Sequence, residues 1–210
     1  MKLIKKLSVP ITLSLLLSLA AFAQTYDAVK DFSIASNPNG VWSYGYLTKL
    51  RTPLILYTWS DNQCLPGMSW WGVYLGGCNA MPVVGHNDTD QTICWLTNCL
   101  PPEFLMPQAG WNGEVSVVRW TAPSSGTYLV RGAVMGIDCH YPTTSNFHVM
   151  YNTIKQLLRV VVDGCGSPLS FKHRLVLAAG DTLDFVVDSG NDGSPVGDGT
   201  GIRFRVIKIN

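Results

Sequence analysis

The sequence predicts an all-β fold, an antiparallel sandwich, from three observations. Short runs rich in Val, Ile, Tyr, Phe and Trp recur through the chain, most regularly in its second half. Several of them alternate apolar and polar residues, the period of a half-buried strand. Clusters of Gly, Pro, Asn and Asp end one run after another at strand-plus-turn spacing.

Taken in chain order, the first mature element follows the turn Asn37-Pro38-Asn39-Gly40. Residues 41–46 then put Trp42, Tyr44 and Tyr46 on one strand face, and residues 54–59 form a second apolar run. Region 60–115 is rich in Cys, Trp, Gly and Pro and has little strand pattern. It reads as a long loop region stapled by disulfides, and long ordered loops often carry function.

Beyond it, residues 116–120 form a strand ended by Ala122-Pro123-Ser124-Ser125-Gly126. Residues 127–134, 159–162, 171–177, 182–187 and 202–206 follow as strands. In 182–187, Leu183, Phe185 and Val187 face inward and Asp184 outward. Segment 150–158 departs from this pattern. Its apolar residues Met150, Ile154, Leu157 and Leu158 suit a helical turn, and it is read as a hairpin or short turn.

The N-terminus is a cleavable secretory signal peptide, residues 1–23. Lys2, Lys5 and Lys6 precede a short apolar stretch, and Ala21-Phe22-Ala23 supplies the small cleavage-site residues. The stretch is shorter than the roughly 20 apolar residues of a comfortable membrane span. Residues 24–210 are then one secreted, extracytoplasmic domain with no membrane anchor after cleavage. All six cysteines lie in it, and an even number in an exported chain favours disulfides. Six cysteines allow about 15 pairings. The pairs that close local loops, Cys64–Cys78, Cys94–Cys99 and Cys139–Cys165, are the expected ones. Without the signal's lysines, Asp and Glu slightly outnumber Lys and Arg, and no basic patch is visible along the chain. Nucleic acid is therefore not an expected partner.

Several segments together resemble a module of exported bacterial proteins that often carry a C-terminal PEP-CTERM sorting tag. They are Asp31-Phe32-Ser33, the stretch from Asn37 to Gly45, Ser116-Val117-Val118-Arg119-Trp120-Thr121-Ala122-Pro123, Gly126-Thr127-Tyr128, Ala179-Gly180-Asp181-Thr182-Leu183-Asp184-Phe185, and Asp198-Gly199-Thr200-Gly201-Ile202. The resemblance implies a jelly-roll-like β-sandwich, similar to carbohydrate-binding modules, and implies no catalytic residues. Met106-Pro107-Gln108-Ala109-Gly110 stands where that family has His-Pro-Gly, and no tag follows Asn210. The cysteine-rich region has no counterpart in the family.

The candidate ligand-binding residues are Trp70, Trp71, Tyr74, Trp95 and Trp111, all in region 60–115. Sugars stack C–H faces on indole rings while placed polar groups bond their hydroxyls. The same rings could equally fill a minor core under the loops. Asp188, Asp192 and Asp198 offer oxygens for a structural calcium, against the plainer reading of an Asp/Asn/Gly turn. No other cofactor is expected. Arg119, charged inside an apolar run, is placed to pair with Asp181 or Asp184. His86, Asn87 and Asp88 read as a surface loop. No Gly-x-Ser-x-Gly elbow or His-Glu-x-x-His motif is present, and Glu103 and Glu114 are the only glutamates. The leading expectation is a non-enzymatic binding module for an extracellular glycan or surface protein. The alternatives are a structural or matrix protein that self-associates, and a small glycan-active hydrolase.

Overall fold

The computed structural model describes residues 24–141 and 143–209. The expected signal peptide, 1–23, lies outside the described residues. All the paired strands are antiparallel. The first half contributes β1 (Thr25–Asp27), β2 (Trp42–Leu47), β3 (Ile55–Leu56), β4 (Trp59–Asp61), β5 (Met68–Gly76), β6 (Asn79–Asn87), β7 (Ile93–Trp95), β8 (Asn98–Leu100) and β9 (Leu105–Gln108). The second half contributes β10 (Val115–Thr121), β11 (Gly126–Gly136), β12 (Asn146–Tyr151), β13 (Lys155–Val161), β14 (Leu169–Leu177), β15 (Thr182–Asp188) and β16 (Thr200–Ile209). Among the described residues no helix is long and apolar enough to cross a membrane.

Two sheets make the sandwich. The larger runs β14-β11-β16-β9-β6-β5-β4, with β1 also paired to β16. The smaller runs β13-β12-β15-β10-β2-β3. Their inner faces enclose the main core, which includes Trp42, Tyr44, Trp120, Tyr128, Phe147, Phe185 and Phe204. These positions alternate along their strands, as burial of one sheet face requires. The turn before β2 is held by Asn37, whose side-chain amide donates to the carbonyls of Tyr44 and Tyr57.

Asp184 lies on the outer face of β15, as expected, but it is fully buried. A small second layer of Leu47, Val115, Val117, Met150 and Val186 covers that face. Arg119, directly opposite on β10, closes a two-pronged ion pair with Asp184 at 2.5 and 2.8 Å. Asp181 instead accepts from the Tyr151 hydroxyl and the Ala178 N–H. Segment 150–158 is a hairpin. Asn152 and Thr153 take the left-handed conformation at its tip, and a register shift after Val149 blurs its strand alternation.

Region 60–115 contains more strand than its sequence pattern suggests. The β5–β6 hairpin and β9 extend the large sheet. The reason is burial on both sides. Trp71 and Val84 face the main core, while Met68, Val83 and Met106 face a second cluster with Leu100, Phe104 and Ile137. Strands covered on both faces read as apolar runs rather than alternating ones. The β7–β8 ribbon is the cover on the outer side. The other half of the same outer face stays bare. There, strand register gathers Arg131, Lys172, Arg203 and Arg205, which the sequence scatters, into a basic patch.

Candidate functional site

The ribbon is built to stay in place. The Cys94–Cys99 bridge closes it across the paired positions of β7 and β8. The Cys99 N–H donates to the Ile137 carbonyl, and the Thr97 hydroxyl donates to Asp138 at 2.6 Å. Asp138 also accepts from the N–H groups of His140 and Tyr141. Partial burial pushes its pKa up, but these three bonds outweigh it and hold the carboxyl below its ordinary value. Cys139–Cys165 fixes the following loop, and Cys64–Cys78 ties the approach to β5 to the β5–β6 turn. All three bridges join the pairs expected from local loop closure.

Between these staples lies a groove of about 890 Å³. Trp59, Trp70, Trp95 and Trp111 line it. Trp70 and Trp95 meet edge to face with ring centroids 6.2 Å apart, both half-buried against the second cluster. Trp111 is 56% exposed. The rim adds Leu96, Tyr141 and Val196, which are 96%, 52% and 56% exposed. Large apolar side chains are thus gathered at one opening rather than scattered singly. Polar groups stand among the rings. Gln108 donates to the Pro195 carbonyl, Asp138 lines the wall, and Asn98 lines it too, its side-chain oxygen buried against Gly199 without a hydrogen-bond partner.

Of the expected binding residues, Trp70, Trp95 and Trp111 come together here. Tyr74 packs on Trp59 with ring centroids 5.3 Å apart and does not itself line the groove. Trp71 is corrected. It is 6% exposed, packs in the main core and donates its indole N–H to the Ser33 carbonyl. Trp70 and Trp71 are consecutive residues of β5, so the two rings face opposite sides of the sheet. The sequence reading missed Trp59, Leu96, Tyr141 and Val196. Trp59 ends the apolar run 54–59, outside the tryptophan-rich region, and the other three enter only when loops distant in sequence converge.

The three carboxylates considered for calcium each accept hydrogen bonds from the protein's own donors. Asp188 accepts from His148, Asn146 and the Gly190 N–H. Asp192 accepts from the Thr144 hydroxyl and the Ser194 N–H. Asp198 accepts from the N–H of Thr144 and lies 3.1 Å from its hydroxyl. Among the described residues no group of three or more His, Cys, Asp and Glu is placed to hold a metal ion. The loop instead walls the groove. Gly197, at φ +79°, lies so close to Tyr141 that a Cβ there would come within 2.7 Å of the Tyr141 Cβ.

Burial raises the Asp198 pKa, the Thr144 bonds oppose this, and the nearby charges of Asp192 and Asp188 add to the rise. At Asp188 burial is the largest influence, but the bonds from His148, Gly190 and Asn146 outweigh it and lower the pKa.

The catalytic alternatives find no assembled site among the described residues. The Ser69 hydroxyl donates to Asp88, and His86 contacts the same Asp88 oxygen, so the imidazole does not touch the hydroxyl. Nucleophilic activation requires that contact. Asn87 is buried, donating to the carbonyls of Gln91 and Leu100. Glu103 reaches Arg203, while Glu114 folds back on Asn112, so the two are engaged with different loops.

No family model and no curated protein matches the chain. Among solved structures, it is similar to the C-terminal CBM6 of LamC, a marine laminarinase from Zobellia galactanivorans. That match has 16% identity and a TM-score of 0.32, and it covers 73% of this chain and 93% of the other. A family 35 carbohydrate binding module from an environmental isolate matches at 17% identity and TM-score 0.32, over 50% of this chain and 73% of that one. Rabbit GITRL matches at 11% identity and TM-score 0.30, over 50% and 77%. Values this low define no relationship, and the groove's own chemistry has to carry the functional reading.

Proposed function

We propose that this is an exported, non-catalytic β-sandwich module that binds a glycan in the aromatic groove. The carrying observation is the convergence of Trp70, Trp95 and Trp111 on one opening, with Asn98, Gln108 and Asp138 among them. Indole faces suit the C–H faces of a pyranose, and amide and carboxylate groups suit its hydroxyls. Three disulfides fit an oxidising, extracytoplasmic setting and hold the groove in shape before any ligand arrives. The expected family resemblance remains part of this proposal, with the groove as this chain's own addition.

The test is affinity gel electrophoresis through a panel of soluble neutral polysaccharides. The wild-type protein is retarded by at least one of them, and Trp111→Ala removes the retardation. A protein whose mobility no polysaccharide changes, or a variant retarded as strongly as the wild type, defeats the reading.

Self-association is the second reading, favoured by Leu96, 96% exposed at the groove rim. It predicts dimers or larger species in light scattering that Leu96→Ser dissolves.

A further inference from the structure

We infer that the bare half of the large sheet's outer face is a separate binding site for a carboxylate-bearing polysaccharide, a polyuronate. The inference does not rest on the aromatic groove. The two grooves share no lining residue.

The site is a groove of about 810 Å³ formed over β11, β14 and β16. Lys172, Arg131 and Arg205 stand directly opposite one another in one row across the three strands. The next row is Ser170, Ala133 and Arg203. Small side chains thus form part of the floor, and long cationic ones rise beside them. All four cations are exposed, and Arg174 continues the line along β14. Lys30 adds a fifth cation to the lining.

Three carboxylates also line the groove: Asp27, Asp90 and Glu103. Asp27 holds Arg205 at 2.6 Å, and Glu103 lies 3.5 Å from Arg203. Among the described residues Arg131 and Lys172 have no carboxylate within salt-bridge distance. Like charges directly opposite on neighbouring strands destabilise a sheet. Lys172, Arg131 and Arg205 form such a row, only partly relieved by Asp27. An anionic ligand would neutralise the remainder.

The chemistry favours carboxylates. The guanidinium fork matches a planar carboxylate with two parallel hydrogen bonds. Two arginines of the groove already hold the protein's own carboxylates. A polyuronate presents repeated carboxylates along a chain of hydroxyls, which the Ser170 side chain could also bond. The interspersed Asp27, Asp90 and Glu103 disfavour a dense phosphate backbone, which seeks an unbroken basic surface.

The test is isothermal titration of the full mature protein with polygalacturonate. Its fully methyl-esterified form serves as the uncharged control, and heparin and single-stranded DNA as other polyanions. Expected is binding to polygalacturonate that weakens with salt and is absent for the ester. The Arg131→Gln/Lys172→Gln variant binds at least about tenfold more weakly, the equivalent of one charge-assisted hydrogen bond. Trp111→Ala binds as the wild type does, which separates this site from the aromatic groove.

Equal binding of the ester, or tighter binding of heparin or DNA, overturns the polyuronate assignment. Undiminished binding by the double variant overturns the location. Both substitutions are on the surface and relieve like-charge repulsion, so a melting temperature at or above that of the wild type is expected. Should the double variant melt early, the single Lys172→Gln variant and the salt dependence of the wild type decide. No loss in the first, or no weakening in the second, also overturns the proposal.

Discussion

Asp184 and Arg119 form the most consequential pair at the scale of single residues. The carboxylate is fully buried and its partner side chain 18% exposed. Removing one member of such a pair leaves a charge uncompensated, at about 3–5 kcal/mol. Asp184→Ala is therefore expected to lose that much in urea unfolding, whereas a loss under 1 kcal/mol, the scale of an exposed pair, would contradict the buried pairing.

The acidic residues beside the aromatic groove make a second prediction, with opposite signs. The Asp188 pKa is lowered from 3.8, so its stabilisation is present above that value and is lost as pH falls through the lowered one. The Asp198 pKa is raised from 3.8, so its contribution is complete below that value and is lost as pH rises through the raised one. Asp198→Asn is accordingly expected to raise the melting temperature at neutral pH relative to its effect near pH 3. A variant less stable at neutral pH than at acid pH, relative to wild type, contradicts this. At this scale the sequence was half legible. Adjacent Trp70 and Trp71 had to face opposite ways, but only the fold tells which one lines the groove. Arg119 announced a partner, and cross-strand register selects Asp184.

The second-half strands β10, β11, β14, β15 and β16 were legible as elements from alternation and turn residues, because one face of each meets the core and the other is largely open or thinly covered. β5, β6 and β9 were hidden by burial on both faces. The β7–β8 ribbon was hidden for another reason: it is only three residues per strand and owes its form to Cys94–Cys99. The bridges close sequence separations of 14, 5 and 26 residues. Each is worth on the order of 2–4 kcal/mol, least for the shortest loop. Mass spectrometry of the unreduced mature protein should find no free thiol. Replacing both Cys94 and Cys99 by Ser should cost about 2 kcal/mol, the low end of that range, and weaken binding in the aromatic groove, since the ribbon carries Trp95. A loss of glycan binding no larger than that from removing Cys139–Cys165 would count against this role.

For the whole molecule, the large sheet carries two unlike surfaces, one built by region 60–115 and one left over β11, β14 and β16. On one side, indole rings and amides face an opening between stapled loops. On the other, exposed cations stand over a floor of small side chains. Composition could not foretell the second surface, since charge nearly balances over the chain. It arises only when β11, β14 and β16 align. The aromatic groove was foreshadowed by the tryptophan-rich region, while its far wall, the loop carrying Pro195 and Val196, comes from more than 80 positions further along the chain.

The central claim is that the tryptophan groove binds sugar. The most direct measurement is a glycan array probed with the wild type, Trp95→Ala, Trp111→Ala and Tyr74→Ala. The account predicts defined glycan signals that fall about two- to tenfold in the two groove variants, as loss of a stacked ring implies, and persist in Tyr74→Ala. Wild-type signals in both groove variants, or no signal from the wild type on any glycan, would contradict it.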